Sequence, residues 1–429
     1  MRHVHAAVAA VLVAPLVAVA PLHTADAHKR SAAAGSSSVI WEWHQIGVDT
    51  LIADSLTTPP RKLPVEGYLY LAFMHAAVFN AVNGVRGRCE GYRFDGEAPA
   101  RTSARAAAVS AAHRVLVQYS PEQQTTLDAA YHASLARIPD GPKKSRGIAW
   151  GELAAVDIIA RRAHDGRNAP ISFTTPPAPG VWRPTPPANA PMSHPWLGYV
   201  KLLMLKSGDQ FDPGKPPALT SKKYARHFKE VKSVGSATST TRTAAQSATG
   251  TFFSGSPIVQ FTAALKDQAL DRRLDLVDTA RMYAAVHMSL ADAAIAIFWT
   301  KHHYGMWRPI TAIREADTDG NGATTADPAW NSVIPSPPYP DYVSGYNGVM
   351  GAFAGSLGQL FGEDDLDLEL TSTAAPGVVR KYDEVDDVCQ DVIDARVYLG
   401  IHFRFADTTA ARMGQRIAEY GSDHYLQED

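Results

Sequence analysis

Apolar positions recur at helical intervals through most of the chain. Segments near 39–56, 67–83, 103–118, 121–137 and 143–165 are rich in Ala, which favours helix. From Asp278 onward Met282, Val286, Leu290, Ala293 and Ile297 fall on one helical face, predicting a helix that carries Phe298, Trp299 and Lys301 at its end. A further helix is expected to start at Ser344, after the breakers Pro335, Pro337, Pro338 and Pro340, and to run to about Phe361. Its Gly348, Gly351, Gly355 and Gly358 leave room for a second helix to approach. The last helices are expected over roughly 376–398 and 408–421, with Gly400 as a break between them. Two stretches lack the period. Between Asn168 and Pro217 the chain is Pro-rich and reads as a long ordered loop or linker. From Ser233 to Gly255 it is rich in Ser, Thr, Gly and Ala and reads as loop or lid. No strand-rich region and no repeat stands out. The pattern predicts an all-α protein of two packed helical bundles: an N-terminal lobe over 28–215 that includes the Pro-rich linker, and a C-terminal lobe over 216–429.

Composition narrows this picture. A chain of 429 residues exceeds the roughly 250 to 300 at which a single core stops growing, in keeping with two lobes. A formal net charge of -2, with no basic run, argues against nucleic acid as the main partner. Arg2, His3 and His5 precede an apolar stretch from Ala6 to Leu22 and the small-residue site Ala25-Asp26-Ala27. That order reads as a secretory signal over 1–27, cleaved before His28, and predicts a secreted protein. Pro15 and Pro21 interrupt the stretch, so it falls short of a membrane span. Cys89 and Cys389 are the two cysteines; a single long-range disulfide and two buried free thiols both remain open.

Three short segments hold the candidate chemistry. In Lys301-His-His-Tyr-Gly-Met-Trp-Arg308-Pro309 two cations seven residues apart would share a face on a continuous helix, and Pro309 enforces a turn. In Pro337-Pro338-Tyr339-Pro340-Asp341-Tyr342-Val343-Ser344-Gly345-Tyr346 a rigid arm ends at a helix N-terminus, whose unpaired N–H groups and dipole suit an anion. Ser344 adds a hydroxyl there, and Gly345 lets the backbone come close. In the third segment Arg396 and His402 are six apart, about 240 degrees around an ideal helix, so a break at Gly400 is needed to bring them to one ligand. Each residue alone has a plainer explanation: a solvated helix end for Lys301, an ion pair for Arg308, a helix cap for Ser344, a packing histidine for His402. Their joint order favours a single pocket. Asp407, before Thr408 and Thr409, is expected to cap the last helix.

These segments resemble the three-part signature of the vanadium haloperoxidases and the related type 2 phosphatidic acid phosphatases. That signature is Lys, six residues, Arg-Pro; then Pro-Ser-Gly-His; then Ser-Arg, five residues, His, three residues, Asp. The resemblance covers about residues 270–420. It implies that Lys301, Arg308, Ser344, Gly345 and Arg396 hold the equatorial oxygens of vanadate or phosphate, with His402 the axial ligand to the metal or the nucleophile toward phosphorus. Trp307-Arg308-Pro309, Phe298 and Tyr339 look more like the haloperoxidase branch. The chain departs from the pattern at Ala395 and Val343, in place of Ser and Pro, and in the position of Asp407, one residue late. The larger departure is Tyr346, where the acid/base His would stand. A phenol with a pKa near 10 stays protonated at neutrality and mainly donates a hydrogen bond. Anion binding is then expected to survive better than turnover.

The reading the resemblance implies is a secreted peroxidase that binds vanadate and oxidises halide or small organic substrates with hydrogen peroxide, Lys301 polarising the peroxide, with His402, Lys301 and Tyr346 as catalytic candidates. One alternative is a secreted acid phosphatase acting through a phosphohistidine at His402. Another is an oxyanion-binding protein that is catalytically weak or inactive. Phosphate fits the same site as vanadate. Other features are weaker. Asp317-Thr-Asp319-Gly-Asn321-Gly322 starts like a calcium loop, but its twelfth position is Pro328 and not Glu, so a structural turn is favoured over calcium. Trp182-Arg183-Pro184 echoes the first segment with Pro176 where a Lys is required, and is treated as a decoy. His302 and His303 are taken as solvated, no third ligand being in metal spacing.

Overall fold

The computed structural model describes residues 24–57, 61–62 and 64–428. Most of the expected leader lies outside these. The described part holds thirteen α-helices and one small hairpin. The N-terminal half contains α1 (Thr24–Ser55), α2 (Gly67–Arg86), α3 (Ala104–Tyr119), α4 (Gln124–Ala136) and α5 (Pro142–Arg161). Next come α6 (Lys222–Val234), α7 (Ala244–Phe252), α8 (Pro257–Asp271), α9 (Leu276–Tyr304) and the short α10 (Pro309–Arg314). The chain ends with α11 (Gly345–Phe361), the antiparallel pair β1 (Leu368–Thr371) and β2 (Val379–Tyr382), α12 (Val385–Tyr398) and α13 (Arg404–His424). The fold is all-α, as the pattern of apolar positions implies.

One bundle packs α2, α3 and α5 together, the other packs α9, α11 and α13, and α2 lies against α9 between them. The central helix α9 starts where Asp275 accepts the N–H groups of Val277 and Asp278, and stops at Gly305, which takes a φ of 54°. The glycines of α11 do what their spacing suggests. A Cβ on Gly351 would stand 2.2 Å from the Ala411 carbonyl oxygen, and one on Gly414 would stand 2.1 Å from that of Gly348, so α11 and α13 touch backbone to backbone. Both α2 and α9 are long and apolar enough to cross a membrane, yet their apolar windows are 94% and 89% buried inside the fold.

The Pro-rich stretch is ordered. Buried Asp292 on α9 accepts the N–H groups of Leu203, Met204 and Leu205 at 2.7, 2.7 and 2.8 Å, so a single carboxylate pins the loop to the core. Three expectations need correction. The segment 233–255 contains α7, started by a full capping box between Thr243 and Gln246; small residues masked it. Residues 376–384, expected to be helical, contain β2, which pairs with β1 in the register Thr371 to Val379; α12 begins only at Val385. Asp407 is not a cap: α13 starts at Arg404, and Asp407 is buried in its first turn. Cys89 and Cys389 are both free and buried.

Candidate functional site

Backbone hydrogen bonds tie the three segments together before any side chain meets. The Asp341 N–H donates to the Met306 carbonyl at 2.9 Å, and the Ser344 N–H donates to Ala406 at 3.1 Å. The turn between Lys301 and Arg308 is held from outside by the Pro-rich loop, through Trp182 N–H to Gly305 at 2.7 Å and Trp307 N–H to Gly180 at 2.9 Å. Lys301 and Arg308 therefore do not share a continuous helix. Lys301 sits in the last turn of α9, the chain reverses through Gly305, and Arg308 precedes α10 in an extended conformation. Gly400 breaks the chain after α12 as expected, with a φ of 78°; a Cβ there would strike the Gly235 carbonyl oxygen at 2.1 Å.

The side chains converge. Lys301, Arg308 and Ser344 are fully buried, and Arg396 and His402 nearly so. Lys301 Nζ donates to the carbonyls of Pro340 and Asp341 at 2.7 and 3.0 Å. Arg308 donates from Nε to Tyr339 O at 2.8 Å and from Nη1 to Ile401 O at 2.7 Å, and its Nη1 lies 3.1 Å from His402 Nε2. Lys301 Nζ and the Arg308 guanidinium each lie 4.9 Å from the Tyr339 ring centre. Arg396 donates to Phe253 O at 3.0 Å and lies 5.3 Å from the centre of the Tyr346 ring. Tyr346 donates its hydroxyl proton to Gln260 Oε1. Ser344 caps α11 by backbone position, its hydroxyl receiving the Asn347 amide at 3.3 Å.

A cavity of about 200 Å³ opens over this floor. Tyr339, Gly345, Tyr346, Arg396 and His402 line its polar side, while Tyr68, Ile258, Ile297, Phe298 and Val349 make the rest apolar. Lys301 and Arg308 stand behind it. Ser254 and Gly255, from the stretch suggested as a lid, form part of the lining. A Cβ added to Gly345 would meet nothing nearer than the Tyr339 hydroxyl at 3.9 Å, so this backbone faces open space. Two larger hollows, of about 490 and 1110 Å³, are lined by other residues and do not touch these cations.

Electrostatics define what the floor lacks. Burial, then the neighbouring Arg308, pushes the Lys301 ammonium well below its usual range. Burial followed by Arg308, Lys301 and Arg396 does the same to His402. Burial also lowers Arg308 and Arg396. Among the described residues Arg308 Nη2 and Arg396 Nε are buried without a hydrogen-bond partner. Buried donors of this kind are rare, and here they belong to cations that repel one another. A tetrahedral oxyanion supplies both the acceptors and the opposing charge, so the donor set fits vanadate or phosphate.

Asp341, not singled out by the sequence, also lies at this site. Its Oδ1 lies 2.7 Å from His402 Nδ1 and 3.7 Å from Arg308 Nη1, and burial raises its carboxyl to about 7 against the pull of Arg308 and Lys301. The carboxylate beside His402 is therefore Asp341 and not Asp407. Asp407 instead accepts the Asn347 amide at 2.8 Å and is held well above the carboxylate range by burial and by Asp341. An acid within the Pro-rich arm was the available signal for Asp341; Gln260 and Phe253 lie far away in sequence and gave none. The remaining candidates stay outside. Arg183 pairs with Glu315 at 3.1 Å near the surface. His302 meets the Tyr199 hydroxyl at 2.8 Å, and His303 is exposed and stacks on Trp299. Asp319 closes a turn onto Asn321 N–H and Thr324, as a structural turn requires.

Comparison with known proteins bears on the fold and on the C-terminal half. Residues 281–428 match the family model of the VCPO second helical-bundle domain. The vanadium chloroperoxidase of Curvularia inaequalis is 26% identical over 181 residues, and the match covers 32% of this chain and 29% of that one. A bacterial vanadium-dependent iodoperoxidase superposes with a TM-score of 0.76 at 22% identity, covering 92% of this chain and 98% of that chain. A bacterial vanadium-dependent chloroperoxidase in its apo form gives 0.68 at 16% identity, covering 84% and 93%. Over residues 281–428 the chain is thus similar to the VCPO second helical-bundle domain, and its overall fold is that of the bacterial vanadium-dependent haloperoxidases.

Proposed function

We propose that this chain is a secreted peroxidase that binds vanadate and uses hydrogen peroxide to oxidise halide or a small organic substrate. The observation that carries the reading is the convergence of Arg396, His402 and the start of α11 on one cavity, with Lys301 and Arg308 clustered beside His402 and two buried guanidinium nitrogens lacking acceptors. Arg308 Nη2 and Arg396 Nε, with Lys301 and the Ser344-Gly345 backbone, would hold the oxyanion, and His402 Nε2 would face the metal. Vanadate, when bound, supplies the activation of hydrogen peroxide. The chain's own residues set charge and protons around it. Asp341, with its carboxyl near 7, lies 2.7 Å from His402 Nδ1 and can share a proton with it in the neutral range. Tyr346 keeps its proton, because burial raises the phenol, and offers it to Gln260. The apolar wall of Ile297, Phe298 and Val349 limits water beside the reacting oxygen.

The test is a paired assay on phosphate-free protein, with and without vanadate, reading iodide and bromide oxidation and cleavage of an activated phosphate ester. Halide oxidation that requires vanadate supports the proposal. Ester cleavage inhibited by vanadate would make the chain a phosphatase, and binding without either turnover would make it an oxyanion-binding protein. Secretion rests on the leader over 1–27; recovery of exported protein still beginning at Met1 would contradict it.

A further inference from the structure

A second cluster of chemically apt side chains lies elsewhere on α9. His44 on α1, His75 on α2 and His287 on α9 are all buried, and one ring nitrogen of each lies within 4.8 Å of the others. His44 Nδ1 is 3.0 Å from His75 Nε2, and His44 Nε2 is 3.1 Å from the Thr262 hydroxyl on α8. No hydrogen-bond partner reaches His75 Nδ1 or either nitrogen of His287 among the described residues. The hydroxyl of Tyr283, whose ring packs against all three imidazoles at 5.0 to 6.3 Å, has no partner either. Purely structural core histidines are expected to satisfy their nitrogens, since each neutral imidazole presents one donor and one acceptor. Here three of six ring nitrogens are left over.

We propose that His44, His75 and His287 form a binding site for one divalent transition-metal ion of the zinc class. Tetrahedral zinc with nitrogens at 2.0 to 2.1 Å sets them about 3.3 Å apart, so the 3.0 Å pair is nearly in place and no spacing within the 4.8 Å cluster has to close by more than about 1.5 Å. Imidazole is the ligand that zinc-class ions favour over the harder calcium and magnesium. The ligands are ready in the required neutral form: burial pushes His44 down to about 3 and holds His75 and His287 well below their usual range. Thr262, receiving the outer N–H of His44, fixes its tautomer with Nδ1 turned to the cluster, the role outer partners play at metal sites. The site is separate from the oxyanion pocket, since His287 and Lys301 are fourteen residues apart, about 21 Å along α9.

An ion here would join α1, α2 and α9, and through Thr262 would also brace α8. Gln260, the partner of Tyr346, lies two residues from Thr262 on α8, on the opposite side of that helix. The metal is thus a structural clamp whose loss is expected to lower the unfolding temperature.

The test uses the full chain, stripped with a chelator, incubated with zinc and dialysed, with bound metal measured by mass spectrometry. Wild type is expected to keep one zinc per chain and His287→Phe to lose it, while His302→Ala and His303→Ala keep it. Cobalt in place of zinc is expected to give the visible absorption of a tetrahedral nitrogen site in wild type but not in His287→Phe. If His287→Phe does not fold, His75→Gln replaces it, and the wild-type cobalt spectrum still decides. A folded wild-type chain that retains no zinc, or that retains as much as the folded variant, overturns the proposal.

Discussion

At position 346 a phenol occupies the place that an acid/base imidazole holds in the signature these segments resemble, and its surroundings explain how it is tolerated. The Tyr346 hydroxyl donates to Gln260, and burial keeps the proton on the phenol against the pull of the Arg396 guanidinium that its ring lies on. Tyr346→His is expected to raise turnover by at most about 10² to 10⁴, with little change in oxyanion affinity. Steady-state halide oxidation checks it, and a slower His variant of an already fast enzyme would show that the phenol is a working group. Arg396→Ala is expected to weaken oxyanion binding by about 1.5 to 3 kcal/mol, the scale of a charged hydrogen bond. Titration calorimetry reads this directly; an unchanged affinity would remove Arg396 from the site. The cations, Ser344, Gly345 and His402 were legible because their order and spacing are restrictive. Asp341 was not, because its role depends on the fold of the Pro-rich arm, which turns its carboxylate onto His402.

Among the elements, the approach of α11 to α13 carries the sharpest stability prediction. A methyl group on Gly351 would press on the Ala411 carbonyl at 2.2 Å, and backbone cannot yield as a side-chain end can. Gly351→Ala is expected to destabilise by about 1 to 3 kcal/mol, read as a lower denaturant midpoint, and to loosen the pocket because Ser344 and Ala406 sit at the paired helix ends. A variant as stable as wild type would mean that the two helices are not in backbone contact. The small residues at 348, 351 and 355 announced this contact in the sequence. Small residues of its own hid α7, whose start is signalled by the Thr243–Gln246 box and not by an apolar stripe. The hairpin escaped for another reason: β1 and β2 are four residues each, and their pairing follows from packing against α8 more than from any pattern of their own.

For the whole molecule, the all-α architecture was legible from helical periodicity, because long buried helices such as α2 and α9 dominate it. How the halves meet was not, since α2 against α9 and the Pro-rich loop against Asp292 are long-range contacts. That joined core gathers Lys301, Arg308 and Arg396 at one site whose unpartnered guanidinium nitrogens suit a tetrahedral oxyanion, and this is the central claim. Its most direct test is calorimetric titration of phosphate-free protein with vanadate, repeated across pH and in buffers of different ionisation enthalpy. Lys301 and His402 are held low in the free protein, so an arriving anion raises both and draws protons onto them. The account predicts one vanadate per chain, net proton uptake beyond the anion's own ionisation, and affinity that falls as pH rises through neutrality. Absence of saturable binding, or binding that releases protons and tightens with pH, would contradict it.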